Sequence, residues 1–381
     1  MSRGLPGPET NELAWVTSML GGPGRGAARP YLCRPSLEQA ELLVPLRPRR
    51  AAAGSMRRYH DDRSWKQRGV VLAGQLLGQF GVLDRAPGER HDLPSFVRIE
   101  QLGAMLGESE LVPAIGLGPR RRNRKPVIQL LRPNGETVGF AKVGWSPFTT
   151  ELITNEARWL RHVDGRMPPG TSAPPVLLDH RFDDIHIVVT APVDTPVFAR
   201  RRGPLDFETL AAIARLGTDE IRALPELQML AQARELGVAE VVDLDRLVER
   251  HAEVRIELGL WHGDLTPWNT ATNGTSTGIW DWEFSDDHRP IGFDALHIAF
   301  ELVRRSGPAQ EAAAIAAIES DAASILTPVA DPVTAAAITD LYFCELLMRE
   351  RRLAGEGWEP QHLAPLEQHL IDVLQRRIGH P

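Results

Sequence analysis

The feature that most constrains the fold is a change of sequence pattern near Pro196, from strand-like runs before it to helical apolar spacing after it. Between about residues 97 and 193, short runs rich in Val, Ile and Phe alternate with turn signals, and Asn134-Gly135 between two such runs predicts a β-hairpin. One amphipathic stretch, 149–163, predicts a helix, so the expected order is three strands, a helix and two strands. Beyond Pro196, apolar spacing predicts helices over about 206–217, 224–235, 241–258, 292–305, 309–326, 333–354 and 361–377. This pattern predicts an α+β chain in which a small β-rich lobe precedes a larger α-helical lobe.

The first 95 residues carry no recognisable catalytic pattern. Residues 1–30 are rich in Gly, Pro and Arg, which predicts little fixed structure. Residues 36–44 and 66–83 have apolar spacing that allows short helices. We interpret the segment as an N-terminal extension packed on the main body, with substrate gating or partner binding as the alternative. The predicted division is an extension over 1–95, a first lobe over 96–193 and a second lobe over 194–381.

Composition narrows the class of protein. The 381 residues are 43% hydrophobic and 24% charged, which is ordinary for a globular protein. The net charge of −7 argues against nucleic acid as a partner. Residues 1–100 hold 15 basic and 10 acidic side chains (+5), whereas the remainder holds 28 and 40 (−12). The acidic part suits a cationic substrate, although surface acidity more often serves only solvation.

Cysteine use and hydropathy indicate the compartment. Cys33 and Cys344 are far apart in sequence and form no CxxC or Cys/His pattern, so neither a disulfide framework nor a zinc site is expected. The N-terminus lacks the apolar core of a signal peptide. The longest apolar stretch, Val70–Leu83, is interrupted by Gln75 and Gln79 and is too short to span a bilayer. We expect a cytoplasmic protein without a membrane partner.

The most informative segment is LWHGDLTPWNTATNGTSTGIWDWEF. It places His262, Asp264 and Asn269 in the pattern H-x-D-x-x-x-x-N, and a strand-like run then delivers Asp281. Phosphoryl transfer explains these residue types, because it needs positioning and charge neutralisation more than covalent help from the protein. The alternative is an Asx-type turn with capping carboxylates.

Each residue type fits one role in that chemistry. One carboxylate must meet the substrate hydroxyl, a second must hold Mg²⁺, and an amide oxygen can complete the metal shell without adding charge. Asp264, Asp281 and Asn269 fit these roles in that order. The loop between Asp264 and Asn269 is short, so both side chains can face one cavity. A hairpin at Asn273-Gly274 is expected to return the chain and bring Asp281 alongside.

The blocks HGDLTPWN, IWDWE and GFDALH together resemble the aminoglycoside phosphotransferase and choline kinase superfamily. The resemblance covers about residues 100–300 and is strong over 260–297. It implies a two-lobed protein-kinase-like fold that uses ATP, or GTP, with Mg²⁺. Residue by residue, it implies Asp264 as the catalytic base and Asn269 and Asp281 as magnesium ligands. It also implies that Asp294 braces the catalytic loop and that His262 is a structural member of it.

The first lobe should then supply a nucleotide site. Lys142 lies in TVGFAKVG, the third strand of that lobe, and is one of only three lysines in the chain. In kinases a lysine on this strand holds the α- and β-phosphates and pairs with a glutamate of the next helix. Glu156 is the matching glutamate, with Glu151 as a competitor on the same predicted helix. The alternative for Lys142 is an edge-strand lysine that points to water.

Two further segments complete the predicted nucleotide site. Gly116 and Gly118 begin a segment, 115–125, that lies where the phosphate-covering loop belongs, although it is not G-x-G-x-x-G. The backbone amides that would meet the phosphates are therefore not specified. Val189–Val193 is expected to join the two lobes, so backbone groups at Ala191 would bind the adenine edge.

These features predict an ATP- and Mg²⁺-dependent phosphotransferase that acts on a hydroxyl of a small molecule. An amino sugar or aminoglycoside suits the acidic balance, and a neutral sugar, an amino alcohol or a natural-product hydroxyl fits nearly as well. A catalytically silent kinase-like binding module is the alternative. A protein kinase is disfavoured, because only about ten residues separate Asp281 from Gly292 and no APE-like segment is present. The sequence does not predict the oligomeric state.

Other polar residues near the motif have two interpretations each. Glu283, Asp286 and Asp287 would contact a cationic substrate or a second metal, or else form a solvated loop. His297 shows no partner in the sequence and is interpreted as a surface or core histidine.

Overall fold

The computed structural model describes residues 12–56, 78–118, 124–193, 205–272, 275–307, 309–356 and 360–379. The chain divides into two compact units. The first comprises residues 1–164 with 173–199, and the second comprises 165–172 with 200–381. Strands dominate the described residues of the first unit and helices those of the second, so the predicted α+β class is confirmed.

The first unit is built on one antiparallel sheet of eight strands. In chain order these are β1 (Arg29–Arg34), β2 (Leu42–Pro45), β3 (Glu89–Leu93), β4 (Val112–Gly116), β5 (Val127–Leu131), β6 (Thr137–Gly144), β8 (Val176–Arg181) and β9 (His186–Thr190). Their order across the sheet is β3-β1-β2-β4-β5-β6-β9-β8. Its helices are α1 (Glu12–Met19), α2 (Arg49–Ser55), α3 (Val97–Leu106) and α4 (Pro147–Val163).

The predicted hairpin at Asn134-Gly135 is confirmed between β5 and β6. Gly135 has φ +88°, and a Cβ there would lie 2.3 Å from the carbonyl oxygen of Arg50, so the turn needs glycine for both conformation and space. On each side of the turn, alternate residues such as Ile128 and Ala141 are buried in the core of the unit. The hairpin thereby fixes the register that places Lys142 on β6.

The N-terminal residues are more ordered than the sequence predicts. The prediction of little fixed structure in 1–30 is wrong for its described part, because α1 buries an apolar stripe and β1 begins at Arg29. The helix predicted over 36–44 is also wrong. There, β2 pairs with β1 on one side and β4 on the other, so tertiary pairing overrides the local helical spacing. Most of the predicted helix 66–83 lies outside the described residues.

Strands β1, β2 and β3 come from the segment that we expected to be an extension, and they continue the same sheet beyond β4. They do so through the pairing of β2 with β4, in which Leu43 lies opposite Ile115. The division of the chain into an extension and two lobes stays a prediction.

The second unit is mainly helical. Its helices are α5 (Phe207–Ala214), α6 (Gln228–Glu235), α7 (Leu244–Arg250), α8 (Phe293–Arg304), α9 (Glu311–Leu326), α10 (Pro332–Gly355) and α11 (Pro360–Gly379). Two small sheets accompany them, in the orders β10-β11-β14 and β12-β13-β7. Their strands are β7 (Thr171–Ser172), β10 (Glu220–Ala223), β11 (Arg255–Trp261), β12 (Thr270–Thr272), β13 (Thr277–Ile279) and β14 (Asp286–Pro290).

One predicted helix of this unit is too long. The helix expected over 241–258 ends at Arg250, and β11 follows after a short turn. In β11, Ile256 and Leu258 are buried at alternate positions, as is typical of a strand, and the strand pairs with β10 and β14. This strand carries the chain directly into His262.

Helix α10 crosses the core of the second unit. Its residues from Leu341 to Leu347 are almost wholly inaccessible to solvent, and Tyr342 contacts Phe293 and Phe300 of α8 edge to face. Among the helices that the structure describes, none is long and apolar enough to cross a membrane.

Candidate active site

In the first unit, Lys142 and Glu156 form a close ion pair. The ammonium nitrogen of Lys142 lies 2.7 Å from a carboxylate oxygen of Glu156, and the side chains are 15% and 2% exposed. A capping box at Ser146 begins α4 directly after β6, and a Cβ on Gly144 would fall 2.7 Å from the Cα of Thr150. Glycine at this position therefore allows the helix to lie close enough to the strand for the pair to form.

The other predicted nucleotide-binding residues lie on the ends of strands. Gly116 is the last residue of β4. Gly118 lies two residues later with φ +69°, and no described residue beyond its chain neighbours would lie within 4 Å of a Cβ placed there. The remainder of the predicted phosphate loop is only partly visible, because residues 119–123 lie outside the described part. Ala191 follows β9, and its N–H donates to the carbonyl of Pro175. The remaining backbone group of Ala191 is its carbonyl, which could only accept a hydrogen bond.

In the second unit, His262 is the buried anchor of the loop that carries the motif. Its main-chain N–H donates to the Asp294 carboxylate at 3.0 Å, and its Nδ1 accepts the N–H of Asp264 at 3.2 Å. Its Nε2 lies 3.1 Å from the carbonyl of Trp280, to which it can donate. Burial lowers the pKa of His262 to about 4, so the ring is neutral at pH 7. It thus joins both ends of the motif without carrying charge.

Asp264 and Asn269 are held together by two hydrogen bonds. The amide nitrogen of Asn269 donates to the main-chain carbonyl of Asp264 and to its carboxylate Oδ2, both at 2.9 Å. Burial alone would raise the pKa of Asp264, but His297 and Arg349 nearby lower it to about 2. The carboxylate is therefore ionised at neutral pH, and its orientation is fixed by the loop itself.

Asp281 lies beside this loop through strand pairing. Thr270 of β12 is opposite Ile279 of β13, and the N–H of Trp280 donates to the carbonyl of Asn269. Asp281 then takes a left-handed backbone conformation, φ +72°, which aspartate tolerates better than most residues. The hairpin predicted at Asn273-Gly274 lies outside the described residues, although the strands on either side of it do pair.

The donor set of Asn269 and Asp281 fits Mg²⁺. Because Asn269 uses its amide nitrogen on Asp264, its amide oxygen is the atom left to coordinate a cation. The pairing of β12 with β13 brings the backbone before Asp281 to Asn269, so the Asp281 carboxylate could supply a charged oxygen to the same cation. A sparse set of oxygen ligands, completed by water and phosphate, is what Mg²⁺ prefers.

Asp294 braces the loop from α8. It accepts the N–H of His262, and burial raises its pKa to about 6. Arg349 of α10 adds a second brace by donating from its guanidinium to the carbonyl of Gly263 at 2.6 Å. Side chains from α8 and α10 thus hold the backbone of His262 and Gly263, directly before Asp264.

Sequence reasoning missed three residues of this site, namely His297, Tyr342 and Arg349. We interpreted His297 as a histidine without a partner, yet its Nε2 lies 3.6 Å from the Oδ1 of Asp264. Its Nδ1 lies 3.0 Å from the hydroxyl of Tyr342. One signal was available, since His297 follows Asp294 by three residues and therefore shares its face of α8. The contribution of α10 had no local signal.

The comparisons with known proteins concern structure alone, since no protein-family model and no curated protein matches the chain. The chain is similar to the aminoglycoside phosphotransferase APH(4)-Ia at 14% identity and a TM-score of 0.46, over 74% of this chain and 98% of that one. It is similar to the GDP complex of aminoglycoside 2'-phosphotransferase-IIIa at 16% identity and a TM-score of 0.43, over 71% and 97%. A third is amicoumacin kinase hAmiN, at 13% identity and a TM-score of 0.39, over 65% and 86%.

Proposed function

We propose that this protein is a phosphotransferase that moves the γ-phosphate of ATP, with Mg²⁺, to a hydroxyl group of a small molecule. The observation that carries the proposal is the double hydrogen bond from Asn269 to Asp264. These bonds orient the ionised carboxylate of Asp264. They also occupy the amide nitrogen of Asn269, so its amide oxygen would be the atom that coordinates a cation. A simple turn with capping carboxylates does not need a second carboxylate, Asp281, brought alongside by strand pairing.

Asp264 would accept a hydrogen bond from the substrate hydroxyl and align its oxygen for in-line attack. A carboxylate with a pKa of about 2 is a weak base in the ground state. Its main contribution would therefore be orientation, and it would take up the hydroxyl proton as the substrate oxygen bonds to the γ-phosphorus and the bond from that phosphorus to ADP breaks. This division suits phosphoryl transfer, in which positioning dominates.

Asn269 and Asp281 would hold the magnesium ion that neutralises phosphate charge in such reactions. Lys142 would bind the α- and β-phosphates as a compact charge, and Glu156 would hold its ammonium group in place. Gly116, Gly118 and Ala191 would contribute backbone groups to the nucleotide.

The acceptor is proposed to be small because little chain lies between Asp281 and α8. A five-residue strand, β14, lies within that interval and pairs with β11, which leaves no long segment for binding a polypeptide substrate. An amino sugar is the first class to test because residues 101–381 have an excess of acidic side chains. Neither nucleic acid nor a membrane is proposed as a partner, and the proposed location is the cytoplasm.

The first test is whether the full chain binds nucleotide. The change in melting temperature on addition of ATP or GTP, with and without Mg²⁺, measures this binding. We expect stabilisation that requires Mg²⁺ and is lost in Lys142→Ala. A matched control is Arg161→Ala, because Arg161 of α4 forms a 2.7 Å ion pair with Asp179 of β8 in the same unit. The control should keep nucleotide binding.

The second test is phosphate transfer from γ-labelled ATP to a panel of amino sugars, neutral sugars and amino alcohols. Labelled product with one class would identify the acceptor. If millimolar nucleotide neither stabilises the chain nor turns over, the proposal fails and the chain is a silent kinase-like binding module.

A further inference from the structure

A buried histidine lies directly behind the proposed catalytic carboxylate. His297 of α8 is 2% exposed, and its Nε2 is 3.6 Å from the Oδ1 of Asp264. That separation is an electrostatic contact and is too long for a hydrogen bond. Among the described residues, Nε2 has no hydrogen-bond partner, although it is fully enclosed. A buried polar atom without a hydrogen-bond partner requires an explanation. Here the neighbouring atom is Oδ1 of Asp264, the proposed catalytic carboxylate.

The other nitrogen of the ring is tied to α10. The hydroxyl of Tyr342 lies 3.0 Å from Nδ1 of His297, and Tyr342 is wholly buried. Burial raises the pKa of Tyr342 well above its usual value, so the hydroxyl keeps its proton and can donate it to Nδ1. In a neutral imidazole that accepts at Nδ1, the proton is on Nε2. The N–H would then face Asp264.

Aromatic neighbours fix the plane of the imidazole. Trp261 and Tyr342 both meet the His297 ring edge to face, with centroids 6.2 Å away and interplanar angles of 88° and 73°. Rotation of the ring would lose these contacts and the bond to Tyr342. The direction of Nε2 is therefore set by the core of the unit and not by the loop.

The two oxygens of Asp264 consequently have different neighbours. Oδ2 accepts from Asn269, whereas Oδ1 faces His297. A carboxylate oxygen can accept in two directions, so Oδ1 can still receive a substrate hydroxyl. The side chain of Asp264 is 23% exposed, so part of it is accessible from solvent.

We propose that His297, oriented by Tyr342, is a positioning residue that holds Oδ1 of Asp264 in the direction required for the acceptor hydroxyl. The inference rests on the proposed function for its catalytic meaning, while the contact itself belongs to the fold. Asp264 is thus fixed from two sides, by Asn269 within the loop and by a helix-borne histidine behind it.

The test uses the full chain and the turnover of Mg·ATP with water as acceptor, so no other acceptor needs to be known. His297→Ala should lower kcat by about 100-fold, since small misplacements of a catalytic group have effects of that order. The dissociation constant for Mg·ATP should stay within about twofold, because His297 is proposed to touch no nucleotide-binding residue. Tyr342→Phe should lower kcat by about threefold to tenfold through loss of the hydrogen bond that orients the ring.

Conservative rescue distinguishes positioning from packing. His297→Gln keeps an N–H donor of similar reach and should recover kcat to within about tenfold of the wild type. His251→Gln is the matched control, because His251 is also buried and also contacts an aspartate, Asp340, at 2.8 Å. Tyr31→Phe is the control for Tyr342→Phe, since Tyr31 is buried and donates to the carbonyl of Pro113. Both controls should leave kcat within about twofold.

A second readout needs no turnover. In histidine-labelled protein, the nitrogen NMR signals of His297 should shift in both Asp264→Asn and Tyr342→Phe. The first removes the negative charge that faces Nε2, and the second removes the hydroxyl at Nδ1. If the wild type binds Mg·ATP without hydrolysing it, these signals alone decide whether His297 positions Asp264. If it neither binds Mg·ATP nor turns it over, the proposed function fails, and the signals still decide whether the contact exists. Unchanged His297 signals in Asp264→Asn overturn the inference, as does a wild-type kcat in a folded His297→Ala variant. Should His297→Ala fail to fold, His297→Gln and Tyr342→Phe carry the same kinetic test.

Discussion

The helical unit contains two buried histidine–aspartate contacts that differ in how completely they are used. In the first, Nε2 of His251 lies 2.8 Å from Oδ2 of Asp340, and Arg377 donates to the other oxygen of the same carboxylate. Asp340 is only 1% exposed. In the second, His297 is 3.6 Å from Asp264, whose carboxylate is 23% exposed. Each oxygen of Asp340 therefore has a close nitrogen partner, whereas Asp264 is partly exposed and one of its oxygens has only the longer contact with His297.

This difference separates stability from chemistry. A buried carboxylate whose two oxygens both accept from protein groups cannot also bind a substrate hydroxyl. Removing it leaves those groups buried without a hydrogen-bond partner, which lowers the free energy of unfolding. A carboxylate with one loosely held oxygen contributes less to folding but can accept a hydroxyl. Hydrogen-bonding capacity, rather than burial or charge, is therefore what favours Asp264 over Asp340 for the proposed catalytic role.

The largest effect should come from exchanging the carboxylates for amides. Asp264→Asn should lower Mg·ATP turnover by about 1,000-fold or more, because the group that orients the nucleophile is lost, with unfolding free energy within about 1 kcal/mol. Asp340→Asn should do the reverse, with a loss of about 3–5 kcal/mol of stability and turnover nearly unchanged. Steady-state kinetics and urea denaturation of both variants measure the contrast. A stable Asp340→Asn or an active Asp264→Asn would contradict it.

A third aspartate, Asp281, is proposed to bind Mg²⁺, so its substitution should change metal-dependent nucleotide binding. Asp281→Asn should weaken nucleotide binding in the presence of Mg²⁺ by about 10- to 100-fold, since one of two proposed ligands loses its charge. Binding without Mg²⁺ should hardly change. Calorimetric titration with ATP, with and without the metal, tests this, and Asp331→Asn serves as a control because Asp331 only caps α10. Equal metal dependence in Asp281→Asn and the wild type would remove Asp281 from the site.

Asp294 links the reactive region to the pH dependence of stability. Its pKa is raised from 3.8 to about 6 by burial, so the folded protein binds this proton more tightly than the unfolded chain. The resulting stability is complete below about pH 4 and is lost as the pH rises through about 6. Asp294→Asn keeps an oxygen to accept the N–H of His262 but has no proton to lose.

The stability difference between Asp294→Asn and the wild type should therefore shift in favour of the variant by about 2–3 kcal/mol between pH 4 and pH 7. Urea denaturation of both proteins across that range measures the shift. Parallel pH profiles would show that the Asp294 proton is not coupled to folding.

The smallest effect concerns the two histidines. His251→Gln breaks a short, saturated contact and should cost about 1–3 kcal/mol of unfolding free energy. His297→Gln should cost about 1 kcal/mol, because the long contact to Asp264 contributes little to folding and the main loss is the hydrogen bond to Tyr342. Denaturation curves of the two variants, measured side by side, give the difference. A larger loss in His297→Gln would mean that His297 mainly supports the core.

The sequence predicts the parts of the site that one short stretch of chain specifies. Asp264 and Asn269 belong to a single tight loop, so their contact follows from their spacing, and the ion pair of Lys142 with Glu156 follows from a strand that leads directly into a helix. The roles of these residues stay predictions. His297 and Tyr342 join the site only through the packing of α8 on α10, which no local pattern encodes.

The fold shows the same limit. The hairpin at Asn134-Gly135 and the helices near 293–304 and 311–326 were predictable because each depends on turn chemistry or on its own apolar spacing. Strand β2 was not, because its helix-like spacing is overridden by partners on both sides.

The pairing of β2 with β4 also has a consequence for handling the protein. Strand β4 is wholly buried and apolar, and β2 covers the edge opposite β5. A chain shortened to begin near residue 96 would retain every residue of the proposed active site yet present that edge, with its backbone donors and acceptors, to solvent. Such an edge recruits strands from other molecules. By covering this edge, the N-terminal strands would reduce self-association. A loss of solubility on truncation would therefore not show that residues 1–95 take part in catalysis.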